Sequence, residues 1–175
     1  MNQKTQKLAT AAVVAAGYAV LTMALAPISY GAVQFRVSEL LCILPFFLPF
    51  TGWGLFAGCI IANLLTGNVF DIVFGSLATL AACLCTAAIG RADRGSTLRC
   101  ALGCLMPVLF NGVVVGAVIT WAYMGLNIFE NPGVFALNAG QVALGEAVVL
   151  YVLGLPLMKI LPKQKFFREL ILKFQ

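Results

Sequence analysis

Long apolar runs alternate with short polar connections along most of the chain. The runs lie near residues 8–27, 39–50, 53–66, 70–89, 98–123 and 135–158. Because a membrane-spanning helix needs about 20 apolar residues, these runs predict an all-α integral membrane protein with six transmembrane helices in a single domain, residues 1–175. A basic amphipathic tail is predicted over residues 159–175, as an anchor at the membrane surface. The composition agrees, since 62% of the residues are hydrophobic and the mean hydropathy is +1.01.

The second and third runs are an ambiguous pair, because residues 40–62 could form one span of ordinary length. Pro45, Pro49 and Gly52 interrupt this region, which favours a break near Thr51 and Gly52. The second helix is then about 18 Å long, at about 1.5 Å per residue. It must begin earlier, tilt, or cross the bilayer incompletely.

The basic residues give the chain an orientation. With six spans and cytosolic N- and C-termini, ten of the 11 Lys and Arg residues, Arg94 among them, lie on the cytosolic side, and Arg36 lies outside. A topology with five spans and an external N-terminus would place nine basic residues on the cytosolic side and two outside, so charge alone leaves both topologies open. Six spans also place the costly polar groups in the outer half or at the middle of the membrane. We therefore expect a multi-pass protein of the plasma membrane with six spans.

Polar residues within and beside the apolar runs are the candidate functional groups. Residues 34–39 form an island with an amide, a guanidinium, a hydroxyl and a carboxylate between two apolar runs. Polar groups at membrane depth are costly and usually mark a site of function. The candidate substrate-binding residues are Glu146, Glu39, Arg36, Gln34, Asp71, Asn111, Asn63 and Gln141.

This set of side chains suits a small, flat, polar heterocycle that enters from outside. A carboxylate can accept two adjacent N–H groups, a carboxamide can pair with a ring carbonyl and N–H, and aromatic rings can cover the faces. Trp53, Tyr123 and Tyr151 are candidate walls, although Trp53 fits an aromatic belt at the membrane interface better than a binding wall. The alternative for Asn63 and Asn111 is hydrogen bonding between helices. Glu146 is the hardest residue to explain structurally.

Several classes of function are excluded by what the sequence lacks. It has no P-loop pattern and no histidine, and its six cysteines lack the spacing of a zinc site. Nor does it offer a set of nucleophile, base and orienting group. We expect neither an enzyme nor a protein with a metal or cofactor.

The first apolar run carries small residues at a spacing of four. They are Ala11, Ala15 and Ala19 in one series and Ala12 and Ala16 in another. Such a stripe lets another helix approach closely, either from this chain or from a partner protein.

Two segments resemble the QueT family. One is residues 26–31 (APISYG, ending at Gly31) followed by residues 34–39 (QFRVSE), and the other is residues 71–80 (DIVFGSLATL). The likeness extends from about Leu8 to Pro156. The family consists of substrate-binding S components of energy-coupling-factor (ECF) transporters that are associated with queuosine precursors.

The resemblance implies a six-helix membrane protein that captures a 7-deazaguanine base from outside and passes it to the cytosol. It also implies a transmembrane coupling protein and two ATPase subunits as partners. S components carry an Ala-x-x-x-Ala motif on helix 1 that contacts the coupling protein, and both alanine series match it. The resemblance leaves the register of that contact open.

Two other classes of function remain open from the sequence alone. A stand-alone ion-coupled secondary transporter would use Glu146 and Asp71 as proton or sodium groups. A membrane scaffold would use the polar residues only to join helices and would bind no small molecule.

Overall fold

The structure is a computed structural model that describes residues 2–30, 33–92 and 95–174. In it, helices occupy the predicted apolar runs. Gly31 in the first resemblance motif and Arg94 in the charge count lie outside the described residues. The helices are α1 (Gln3–Ala24), α2 (Val37–Phe47), α3 (Thr51–Thr66), α4 (Asp71–Ala92), α5 (Thr97–Tyr123), α6 (Pro132–Lys163) and α7 (Lys165–Phe174). A single helical turn, Ala26–Ser29, follows α1. The described residues contain no strand, which confirms the all-α prediction.

Four of these helices are long and apolar enough to cross a membrane. They are α1, α4, α5 and α6, with 22 to 32 residues each. The helices α2 and α3 are apolar but shorter, about 16 Å and 24 Å at 1.5 Å per residue, against a hydrocarbon core of about 30 Å. The break between them lies at residues 48–50 and includes Pro49, so it precedes Thr51 and Gly52, near which it was predicted. Six full spans therefore stay a prediction.

Glycines allow the closest helix contacts. The helix α1 packs along α3, where a Cβ on Gly54 would collide with the carbonyl of Ala11 and one on Gly58 with that of Ala15. Likewise α5 packs along α6, where Gly116 lies against the backbone of Ala139. Close backbone approach at small residues is a typical way for membrane helices to associate.

The C-terminal helix α7 covers the lower end of α2. Its Phe167 packs edge-on against Phe47 at 5.5 Å between ring centres, and Phe174 packs against Phe50 at 5.0 Å. We predicted that the apolar face of this tail lies on the membrane surface, but Phe167 and Phe174 are buried within the chain. The reason is that the short α2 leaves apolar surface uncovered, and the apolar face of α7 fills that space.

Successive helices run in opposite directions, so one end of the bundle collects the polar connections. The segment after α1, the ends of α3 and α5 and the starts of α4 and α6 meet at one end of the bundle. Two helices also change there to a wider π-helical turn, at Asp71–Gly75 in α4 and Ile119–Tyr123 in α5. Such turns frequently occur at functional sites.

Candidate functional site

A cavity of about 620 Å³ opens at this end of the bundle. Its wall is built from the segment after α1, the end of α3, the start of α4, the end of α5 and the start of α6. The lining residues are Tyr30, Gln34, Leu65, Thr66, Asp71, Ile119, Tyr123, Met124, Leu137, Asn138 and Gln141. A volume of this size, with a mostly apolar wall and a few polar groups, is typical of a small-molecule site.

Hydrogen bonds between helices hold several wall residues in place. The Tyr30 hydroxyl donates to the carbonyl of Ala62 on α3 over 2.7 Å. The Asn138 amide on α6 donates to the Thr120 hydroxyl on α5 over 3.0 Å. These bonds join Tyr30 to α3 and the two longest helices to each other, and thereby fix part of the cavity wall.

The structure brings three of the predicted residues to the cavity wall: Gln34, Asp71 and Gln141. Of the predicted aromatic walls, Tyr123 lines the cavity, whereas Trp53 is 60% exposed on α3 and Tyr151 donates to the carbonyl of Ala101 lower in the bundle. Trp53 and Tyr151 therefore do not line this cavity, and the exposure of Trp53 agrees with a place in an interfacial aromatic belt. Both residues lie on parts of their helices that do not face the cavity.

The other five predicted residues are buried in the bundle and do not line the cavity. We call them the buried polar group: Arg36, Glu39, Asn63, Asn111 and Glu146, each no more than 3% exposed. The group reaches the cavity wall at two points. The Asn63 amide donates to the backbone carbonyl of Asp71 over 3.3 Å, and the Arg36 guanidinium lies 5.4 Å from the centre of the Tyr30 ring.

The two buried glutamates have different surroundings. Glu39 accepts hydrogen bonds on both oxygens, from the Tyr18 hydroxyl and from the Cys42 thiol at 3.0 Å. Glu146 accepts one, from the Asn111 amide at 3.0 Å. Arg36 interacts electrostatically with both glutamates and thereby compensates part of the cost of burying them.

Several buried polar atoms have no hydrogen-bond partner among the described residues. In the buried polar group they are Arg36 Nη2, Asn63 Oδ1, Asn111 Oδ1 and Glu146 Oε2. An unsatisfied buried polar atom costs about 1–3 kcal/mol, and more when it is charged, so native proteins contain few of them. Four such atoms in one region indicate that a polar ligand or water completes their bonding.

Tyr30, Thr66 and Asn138 belong to the wall but were missed by sequence reasoning. Asn138 precedes Gln141 by three residues on α6, so the two side chains share a helix face. That spacing could have identified Asn138. Tyr30 and Thr66 gave no comparable signal, because each lies in a short connection whose course depends on tertiary contacts.

The two alanine series of α1 face different surroundings. Ala15 and Ala19 are buried, at 8% and 5% exposure, and Ala11 is half-buried against α3. Ala12 and Ala16 are exposed. The first series therefore serves packing within this chain, and the second leaves a small-residue surface available.

Apolar helices of spanning length around a chamber of amides, hydroxyls and one carboxylate are consistent with a multi-pass membrane protein. No group of three or more His, Cys, Asp or Glu side chains within the described residues could hold a metal ion. The chain belongs to the QueT transporter family, whose model matches residues 8–163. The predicted family is thereby confirmed, and it is a family of transporters and not of enzymes.

A curated relative is also similar to the chain over part of its length. It is the protein named "Queuosine precursor transporter QueT" of Lactococcus lactis subsp. cremoris (strain MG1363), with 44% identity over 81 residues. That alignment covers 45% of this chain and 48% of the relative, so the chain matches about half the length of the relative. No solved structure matches the chain.

Proposed function

We propose that this chain is the substrate-capture component of an importer for a queuosine precursor, a 7-deazaguanine base. The observation that carries the proposal is the cavity at one end of a QueT-family bundle, backed by buried polar atoms without partners. The name of the Lactococcus relative supports the class of substrate. A flat base with several N–H and C=O groups would satisfy both the amide-rich wall and the unpartnered atoms.

In the proposed orientation both termini are cytosolic and the cavity opens to the outside of the plasma membrane. All six helices α1–α6 lie in the membrane, with α2 and α3 crossing it incompletely or with local thinning of the bilayer. The basic ends of α4, α6 and the α7 helix then face the cytosol, as the positive-inside rule favours.

Asp71 is the carboxylate among the described wall residues, and the amides Gln34, Asn138 and Gln141 share the wall with it. A precursor with an aminomethyl group carries a positive charge, which Asp71 would bind by a charge-assisted hydrogen bond. The rings of Tyr30 and Tyr123 would contact the faces of the base.

The sequence has no P-loop pattern, so the energy for import would come either from partner proteins or from an ion gradient. We propose an ECF-type assembly with a transmembrane coupling protein and two ATPase subunits. The exposed alanines Ala12 and Ala16 support a contact with the coupling protein in that register, since Ala11, Ala15 and Ala19 are used within the chain.

A second candidate function is a stand-alone ion-coupled transporter. The observation in its favour is Glu146, a buried carboxylate with one unpartnered oxygen that could carry a proton. It predicts uptake by this chain alone in proteoliposomes, and that uptake would stop when the ion gradient is abolished. The ECF proposal predicts uptake only with the coupling protein, the ATPases and ATP.

Equilibrium binding to the purified, detergent-solubilised chain tests the proposed substrate. The ligands are queuine, 7-aminomethyl-7-deazaguanine and 7-cyano-7-deazaguanine, with guanine as the control. Saturable binding of at least one deazaguanine well above guanine is the expected result. If folded protein binds none of them, the proposed function is wrong.

A further inference from the structure

Asn111 on α5 and Glu146 on α6 form a buried pair with two unused acceptor atoms. The Asn111 amide nitrogen donates to Glu146 Oε1 over 3.0 Å, and the side chains are 2% and 1% exposed. Because an ionised carboxylate can only accept, this bond turns the amide N–H group toward Glu146 and the amide oxygen away from it. Asn111 Oδ1 and Glu146 Oε2 have no partner among the described residues.

Glu39 provides the contrast within the same chain. Its two oxygens already accept from the Tyr18 hydroxyl and the Cys42 thiol, so it has little capacity for a ligand. Glu39 is therefore already satisfied within the chain, and Glu146 is the carboxylate that a ligand can complete.

Two neighbouring acceptors match a ligand edge that carries two neighbouring N–H groups. The six-membered ring of a deazaguanine has such an edge, formed by the ring N–H and the 2-amino group, with a carbonyl oxygen beside them. An adenine-type edge offers a ring nitrogen, an acceptor, at the position where the ring N–H is needed. A hypoxanthine-type edge lacks the amino group and would leave one buried oxygen unpaired.

The carbonyl oxygen of the same edge needs a donor. The Arg36 guanidinium is 3% exposed, its Nη2 has no partner in the described part of the chain, and it interacts electrostatically with Glu146. A donor, a carboxylate oxygen and an amide oxygen, the three kinds of group that a 2-amino lactam edge requires, are thus available in the buried polar group.

The pair lies close behind the cavity wall. Gln34, which lines the cavity, packs its backbone against Gly145, the residue next to Glu146. Both acceptor atoms are closed off in this structure, so the wall around Gln34 must open when a base enters and can close again behind it.

Building on the proposed function, we infer that Asn111, Glu146 and Arg36 recognise the 2-amino lactam edge of the base. The site thereby selects guanine-type deazapurines over bases without the 2-amino group. The five-membered ring and its 7-substituent remain in the cavity near Asp71.

The test compares two probes on the unmodified chain: 7-aminomethyl-7-deazaguanine and its analogue without the 2-amino group. We expect the analogue to bind about 10- to 150-fold more weakly, the effect of one hydrogen bond to a charged group. Equal affinity for the two probes would overturn the inference and leave the proposed function intact. Binding of neither probe to folded protein would remove both.

Two matched variants assign the effect to the pair. Glu146→Gln should bind the aminomethyl probe weakly and reduce the difference between the probes to about threefold or less, since the charge is lost. Glu39→Gln removes the same charge from a carboxylate that is already satisfied, and it should keep the full difference between the probes. If Glu39→Gln abolishes the difference in affinity between the two probes and Glu146→Gln does not, Glu146 is not the carboxylate that recognises the 2-amino group.

Discussion

Replacing Gly145 by alanine should disturb the cavity wall, and Gly140→Ala on the same helix is the matched control. A Cβ at Gly145 would collide with the backbone carbonyl of Gln34, whereas a Cβ at the exposed Gly140 meets no atom within 4 Å. Both changes gain about 0.5–1 kcal/mol from the better helix propensity of alanine. That gain cancels when the two variants are compared.

The remaining difference between the variants is the steric cost at Gly145. Overpacking of this kind costs about 1–3 kcal/mol, so Gly145→Ala should be less stable than Gly140→Ala by that amount. Denaturant titration of the two proteins in the same detergent measures the difference in the free energy of unfolding. The displaced Gln34 should also lose a hydrogen bond to the ligand, which weakens binding of 7-aminomethyl-7-deazaguanine roughly tenfold.

Equal stability of the two variants, within about 0.5 kcal/mol, would refute the rigid contact between Gln34 and Gly145. A stability difference with unchanged affinity would mean that the contact exists but that Gln34 does not touch the ligand.

Three further predictions follow from the site and its surroundings. Asp71→Asn should weaken binding of the cationic aminomethyl base about 10- to 150-fold and leave the affinity for the neutral cyano base nearly unchanged. Binding assays with both ligands measure this difference, and equal losses of affinity would rule out a contact between Asp71 and the cation. Ala16→Leu should preserve ligand binding but reduce ATP-driven uptake with the partner proteins, and normal uptake would exclude this surface as the partner contact. Ala15→Leu should instead lower the free energy of unfolding in denaturant titration by about 1–3 kcal/mol, because Ala15 is buried against α3. Phe174→Ala should lower the free energy of unfolding by about 3–5 kcal/mol. Leu172→Ala, at an exposed position on the same helix, should change it by less than about 0.5 kcal/mol. If both variants change the free energy of unfolding by similarly small amounts, α7 does not pack on the bundle.

Local pattern was sufficient for the all-α membrane class and for the approximate positions of the long helices. Hydropathy requires only a count of apolar residues along the chain, because every backbone group in a bilayer must be satisfied within a helix. The predicted runs at 70–89 and 98–123 correspond to α4 at Asp71–Ala92 and α5 at Thr97–Tyr123. The polar residues were also visible in advance, since a carboxylate or amide in an apolar run is unusual wherever the run lies.

The hydrogen-bond partners of those polar residues depend on tertiary contacts. Glu39 and Glu146 look equivalent in the sequence, but Glu39 is satisfied by Tyr18, 21 residues away, and Glu146 meets Asn111, 35 residues away. Such contacts depend on how the helices are rotated and spaced in the bundle, which hydropathy does not specify.

Tertiary contacts also distinguish the two alanine series of α1 and determine where the C-terminal tail packs. Both alanine series have the same spacing, and only the glycines of α3 determine which one packs inside the chain. The tail was recognisably amphipathic, but the length of α2 determined that its apolar face covers the bundle instead of lying in the membrane surface. Sequence by itself therefore determined what kinds of groups the membrane domain contains, and tertiary structure decided which of them meet, because a burial partner is set by packing between distant segments.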